Sequence, residues 1–175
     1  MDHKVFMELA LEQARLALDH EDVPVGAVVI DRDGSVLGRG HNRREQRGDP
    51  IAHAEVEALR AAAAARGSWR LDGTTLYCTL EPCVMCAGAL VNARVESLVF
   101  GAWDLRFGGV ETVFQLCTDS RLNHRLQVTG GVLEPPCREL LQAFFKARRG
   151  RKTNPPNKER CPSGRRGTPG KRVGG

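Results

Sequence analysis

His53-Ala54-Glu55 and, further along, Pro82-Cys83-Val84-Met85-Cys86 are the stretches on which the reading of this 175-residue chain turns. Together they offer one imidazole and two thiols, three ligands that suit zinc, and they leave the fourth tetrahedral position to water. A structural zinc site closes its shell with a fourth Cys or His. Three ligands with a carboxylate two residues from the histidine point to hydrolytic chemistry instead. Cys-x-x-Cys by itself is open to redox and structural-zinc readings; the combined pattern is far more specific.

Each half is expected to open a helix. Asp49-Pro50 precedes His53, and the run from Ala54 to Arg66 is almost unbroken in strong helix formers, with Val56, Leu59, Arg60 and Ala63 at a helical spacing. Glu81-Pro82 precedes Cys83, and a proline in the first helical turn is tolerated because its missing N–H would be unpaired there anyway. Helix N-termini carry partial positive charge and free N–H groups, which lowers thiol pKa values and favours thiolates. His53, Cys83 and Cys86 are therefore the expected metal ligands, held on two rigid helix starts, with Glu55 as the free acid beside them.

Outward from this site the chain alternates. A helix is expected over residues 5–18, with Phe6, Ala10, Ala14 and Ala17 on one stripe. Strands follow at 25–31 and 36–40, and Asp33-Gly34 between them is a hairpin signal. The helix from Ala54 leads to a third strand at 75–80. The helix from Cys83 leads to a fourth strand at 95–101. A helix over 110–117, a short strand near 126–129 and an amphipathic helix over 137–149, with Leu140, Leu141, Phe144 and Phe145 facing inward, complete the order. Strands alternating with helices after an opening hairpin argue for an α/β layered domain with a mixed sheet. The connection from the fourth to the fifth strand is long enough for a parallel crossover.

Composition bounds the setting. At 41% hydrophobic, 175 residues can bury one core and are expected to hold one domain. Charge is split: residues 1–145 carry 15 Lys+Arg against 20 Asp+Glu, net −5, and residues 146–175 carry 11 against one, net +10, which together give the overall +5. The segment 150–175 is basic, rich in Gly, Pro and Arg, lacks aromatic residues and any helical period, and reads as a disordered tail. Such a tail can raise nucleic-acid affinity without selecting sequence; a solubilising extension is the equal alternative. No signal-peptide core precedes a cleavage site, and residues 82–93, the longest uncharged run near the middle, are too short to span a bilayer. Two of the six cysteines are assigned to the metal, Cys78, Cys117 and Cys137 read as interior residues, and Cys161 lies in the tail; a reducing compartment suits all six, so the protein is expected in the cytoplasm.

H-x-E followed by P-C-x-x-C is also the signature of zinc nucleobase deaminases, and here the chain resembles a known family. It is similar to the bacterial tRNA-specific adenosine deaminases (TadA type) of the cytidine-deaminase-like superfamily from about residue 5 to 149. The likeness rests on Val23-Pro24-Val25-Gly26-Ala27-Val28, His41-Asn42-Arg43, Asp49 to Glu55, Thr79-Leu80-Glu81-Pro82-Cys83-Val84-Met85-Cys86-Ala87-Gly88-Ala89, Val99-Phe100-Gly101-Ala102, Leu122-Asn123-His124-Arg125 and Phe144-Phe145-Lys146-Ala147-Arg148-Arg149. The first three are widespread among purine and pyrimidine deaminases, and the last two favour the tRNA enzyme. Ile51, where the family often has Thr, is a departure.

The resemblance implies a three-layer α/β/α cytidine-deaminase-like fold with a central five-stranded mixed sheet, spanning a deaminase domain at 1–149. It implies one zinc ion per subunit, a homodimer, and hydrolysis of adenosine to inosine at the wobble position of a tRNA anticodon, an arginine tRNA being expected. Glu55 then shuttles the proton. Asn42 is the candidate to read the base, since an amide can pair with a purine edge such as N7, and the Ala54 backbone belongs to the same substrate contact. Asp104 and Phe107 are expected to line the entry for flanking nucleotides, and Lys146, Arg148 and Arg149 to meet RNA. His41 and His124 are expected to bond locally or to meet RNA. Two rival readings keep the same metal: a free guanine or cytosine deaminase, and a non-enzymatic zinc-stabilised RNA-binding module, against which Glu55 and the open fourth position both argue.

Overall fold

In this computed structural model, which describes residues 2–152, five strands form one mixed sheet in the order β2-β1-β3-β4-β5. They are β1 (Gly26–Ile30), β2 (Val36–His41), β3 (Thr75–Leu80), β4 (Ser97–Ala102) and β5 (Gln127–Thr129). β1 runs antiparallel to β2 and to β3, whereas β3–β4 and β4–β5 are parallel. Successive side chains of a strand point to opposite faces, and both faces are buried here. Val28, Ile30, Tyr77 and Val99 pack beneath α1 (His3–Leu16) and the start of α5 (Glu134–Lys152). Ala27, Val29, Leu76, Cys78, Leu98 and Phe100 pack beneath α3 (Ala54–Arg66) and α4 (Val84–Ala93). This is the expected three-layer α/β/α arrangement around a five-stranded mixed sheet.

The strand directions place the site. Because β1 is antiparallel to both β2 and β3, these two strands run the same way and end on one edge of the sheet, as does β4. The segments leaving β2, β3 and β4 therefore converge, and the helix starts of α3 and α4 face each other across that edge. Ligands of open α/β sheets collect beyond such strand ends.

What brings α3 down onto β2 is glycine. A Cβ at Gly40 would lie 2.3 Å from the Ala54 carbonyl oxygen, and one at Gly38 2.3 Å from that of Ala58. The helix answers with a small-residue face: Ala54, Ala58 and Ala62, flanked by Glu55 and Leu59, are the buried positions. The stripe expected at Val56, Leu59, Arg60 and Ala63 is thus displaced, and Arg60 is exposed. Backbone-to-backbone packing selects alanine where hydropathy alone favours valine.

Other differences have local causes. The first helix starts two residues early, with Asp2 accepting from the Lys4 N–H as N-cap, and ends in a 3₁₀ turn, Ala17–His20. A four-residue α2 (Arg44–Arg47), absent from the sequence reading, is held by Asp22, whose buried carboxylate accepts from the N–H groups of Glu45 and Gln46. The expected helix over 110–117 does not form; only a 3₁₀ turn, Leu116–Thr118, appears. Val110, Thr112 and Val113 are poor helix formers, and the Glu81 carboxylate captures the N–H groups of Val110, Glu111 and Thr112. The last helix begins at Glu134, with Pro135 and Pro136 in its first turn, and runs to Lys152, past the boundary expected at residue 149. Phe145, expected to face inward, is exposed, while Leu140, Leu141 and Phe144 are half-buried. The rest of the expected tail, from residue 153, lies outside the described residues. Among the described residues no helix is long and apolar enough to cross a membrane, and Cys78, Cys83, Cys86, Cys117 and Cys137 are free thiols.

Candidate active site

His53 and Cys83 occupy equivalent places, each the N-cap of its helix with extended backbone angles. An N-cap side chain projects past the helix start, so two N-caps on facing helices direct an imidazole and a thiol into the same space. Cys86, on the first turn of α4, adds the second thiol. The Nδ1 of His53 lies 3.8 Å from the Cys83 sulfur and 3.6 Å from that of Cys86. The ligand atoms of all three lie within 4.8 Å of one another. Three donors at these separations, one imidazole and two sulfurs, can close around one tetrahedral ion with a position to spare.

The thiols themselves support metal binding. The hydrogen bond from Cys86, opposed by burial and aided by His53, holds the Cys83 thiol down at about 4. That same shared proton pushes the Cys86 thiol up. Two sulfurs competing for one proton are the pair that a divalent cation relieves. Glu55 is 4% exposed and sits one residue inside α3. Burial raises its carboxyl above the usual range, against its own backbone N–H and the neighbouring His53.

Asn42 immediately follows β2 and is nearly buried. Its side-chain oxygen accepts from the Ala54 N–H at 2.9 Å, and its amide nitrogen donates to the Val23 carbonyl at 3.0 Å. One amide hydrogen is left for another partner. Asn42 and Ala54 are therefore bonded to each other at the edge of the cluster.

Asp104 lies just beyond β4, and its carboxylate accepts from the N–H groups of Arg106 and Phe107. This turn leaves Phe107 69% exposed beside the site. Lys146, Arg148 and Arg149 are exposed on the far part of α5, with the Arg148 guanidinium over the Phe144 ring. His41 accepts from the Arg43 Nε, a local bond, and stacks with the distant His20, whereas His124 bonds to the Val95 carbonyl, 29 residues away.

Sequence reading missed Glu81. Fully buried, its carboxylate accepts from the N–H groups of Asp104, Val110, Glu111 and Thr112 and from the Thr112 hydroxyl, all within 3.2 Å. Burial pushes the group up, yet these donors outweigh it and hold its pKa below the usual carboxylate range. Together with a bridge between Cys83 and Gly108, this ties the loop after β4 to the first turn of α4. The only hint in the sequence was an acid placed directly before the Pro-Cys pair.

Residues 1–149 match the family model of the MafB19-like deaminases. A tRNA-specific adenosine deaminase of Streptococcus pyogenes is 46% identical over 149 residues, covering 85% of this chain and 93% of that protein. One from Bacillus subtilis is 45% identical over 149 residues, covering 85% and 92%. Among solved structures, one from a study of A-to-I editing by tRNA:A34 deaminases at the wobble position superposes with a TM-score of 0.75 at 42% identity, covering 78% of this chain and 99% of that one. A guanine deaminase of Nitrosomonas europaea superposes with a TM-score of 0.71 at 28% identity, covering 82% and 84%. The chain belongs to the MafB19-like deaminases, in the family of the tRNA-specific adenosine deaminases.

Proposed function

We propose that the protein is a zinc-dependent tRNA adenosine deaminase, which converts adenosine to inosine at the wobble position of an anticodon with release of ammonia. The observation that carries this reading is the clustering of His53, Cys83 and Cys86 beside the buried Glu55, in a chain 45–46% identical to tRNA-specific adenosine deaminases. His53, Cys83 and Cys86 would hold one zinc ion, a fit supported by the imidazole-and-two-sulfur donor set. When bound, zinc supplies Lewis-acid activation of water at neutral pH.

The remaining steps belong to the chain. Glu55 removes a proton from the attacking water, delivers it to N1 of the adenine ring, and then helps protonate the departing amine; water plus adenosine thus becomes inosine plus ammonia. Its burial suits a group that must carry the proton between these atoms without losing it to solvent. Asn42 has one amide hydrogen to offer N7 while its oxygen holds the Ala54 N–H in place, so base recognition and the start of α3 share one side chain. Asp104 shapes the turn that presents Phe107 to a neighbouring nucleotide, and Lys146, Arg148 and Arg149 approach phosphates.

We further read the protein as a homodimer in the cytoplasm, with a catalytic domain at 1–149 and a separate basic tail. Exposed apolar side chains near the site (Val84, Met85, Leu105 and Phe114) support a subunit contact beside it. The absence of a disulfide among the five cysteines of the described residues suits a reducing compartment.

The test is incubation of the zinc-loaded protein with total tRNA lacking inosine, then sequencing of the wobble position. Inosine at position 34 of an arginine tRNA is expected. Deamination of free guanine or cytosine with no change in tRNA would favour the free-base reading, for which the guanine deaminase likeness is the supporting observation. Absence of any deamination would leave only a zinc-stabilised RNA-binding module.

A further inference from the structure

Along the other flank of α3, where β2 meets α1, an open cavity of about 460 Å³ is lined by arginines that the metal centre does not use. Arg39 of β2, Arg43 just after it, Arg47 of α2 and Arg60 of α3 line it, and Glu57 is the only carboxylate in the lining. Glu57 is shared: its two oxygens pair with Arg47 at 2.8 Å and with Arg60 at 3.1 Å. Arg43 donates to a ring nitrogen of His41, an uncharged acceptor, at 3.2 Å. Arg39 makes no ion pair or side-chain hydrogen bond among the described residues. The buried Asp22 nearby is occupied by the N–H groups of α2.

Four guanidinium groups against one carboxylate repel one another at short range, and they form a local positive patch on a body that is net −5 over residues 1–145. The imidazole of His41 in the lining is held below the usual histidine range by burial first, then by Arg43 and His20, with Asp22 and Glu57 opposing. Guanidinium is planar, permanently charged and suited to bidentate capture of phosphate oxygens. The location adds a purpose. Arg43 follows Asn42 directly, and Arg60 lies six residues beyond Ala54 on the same helix, roughly 9 Å along its axis.

We propose that this cavity is a second binding site, one that takes a backbone phosphate of the polynucleotide near the nucleotide held at the metal centre; the proposal rests on the tRNA reading given above. Arg39 and Arg43 supply free donors, and Arg60 turns from Glu57 to the phosphate. The metal centre then handles the base, and the cavity fixes the register of the strand.

The experiment is binding of an anticodon stem-loop to the full-length, zinc-loaded protein across a series of salt concentrations, with thermal melts to establish folding. Arg39→Ala is expected to weaken binding about tenfold, the size of one lost charge-assisted bond. It should flatten the slope of log affinity against log salt by about 0.7 to 0.9. Arg39→Ala with Arg60→Ala should roughly double that flattening, and Arg39→Lys should restore the slope more than the affinity. Arg32→Ala, which removes the same charge from a cation already paired with Glu96, should change neither quantity. Unchanged affinity and slope in folded Arg39→Ala and in the double variant would overturn the phosphate site, as would an equal loss in Arg32→Ala, which would indicate only a diffuse field. Failure of the unsubstituted protein to bind the stem-loop would overturn the tRNA reading and this proposal together.

Discussion

Glu55 and the two cysteines stand within one cluster but are expected to fail differently when replaced. Glu55 is proposed to move protons and not to hold metal, so Glu55→Ala should keep one zinc per chain while losing turnover by about 10²- to 10⁴-fold or more, the range for general acid–base groups. Loss of zinc from that variant, measured by metal analysis, would make Glu55 a ligand. Cys83→Ala and Cys86→Ala should lose both zinc and activity, and should melt earlier, because metal binding and folding are coupled; full zinc occupancy in either would remove that sulfur from the set. Glu81 makes a separate prediction. Glu81→Ala leaves four backbone N–H groups without their acceptor, that of Val110 buried and those of Asp104, Glu111 and Thr112 part-buried, and an unsatisfied buried donor costs about 1–3 kcal/mol. Solvent entry will recover part of that, so a loss of several kcal/mol in denaturant unfolding is expected, with faster amide exchange over residues 103–115. Normal protection there would show that other contacts hold the loop.

At the scale of elements, the centre depends on how closely α3 lies on β2. Gly40 is extended backbone, and what it provides is closeness. Gly40→Ala places a methyl 2.3 Å from the Ala54 carbonyl oxygen, so the start of α3 has to lift. Overpacking of this kind typically costs about 1–3 kcal/mol. Because the lifted end carries His53 and Glu55, zinc affinity should fall together with stability. Unchanged zinc affinity in a destabilised Gly40→Ala protein would show that the metal centre tolerates movement of α3. The same dependence explains why Val56 and Ala63 are poor guides to the buried face: against a glycine-bearing strand, the residues that fit are Ala54, Ala58 and Ala62.

Across the whole molecule, charge divides an acidic body from a basic C-terminal segment. If residues 151–175 meet RNA, they do so through phosphates and without reading sequence. Removing them should then weaken tRNA binding while leaving the rate at saturating tRNA and the choice of tRNA unaltered. Loss of about four phosphate contacts would flatten the salt dependence by roughly three to four units. An unchanged slope would make the segment a passenger, and a changed wobble-site preference would contradict a sequence-blind role. This slope adds to the one expected from the arginine cavity, so the two contributions can be separated by combining the truncation with Arg39→Ala.

The ligand set and its neighbouring acid were legible in the sequence because they are local. His53 and Glu55 are two residues apart, Cys83 and Cys86 three, and each half carries its own helix-start signal; the alternation of strands and helices likewise declared an α/β layer. Asn42 could be placed next to the site only by family resemblance, since its bond to Ala54 spans twelve residues. What the tertiary structure alone decided are the long-range matters: which strand ends share an edge, which face of α3 is buried, and where Glu81 finds its donors. Four arginines spread along the chain from β2 through α2 to the middle of α3 line one cavity only when Gly38 and Gly40 let those elements close together. Short-range spacing fixes chemistry within a turn or two of helix, whereas partners at longer separation are chosen by packing, which periodicity does not encode.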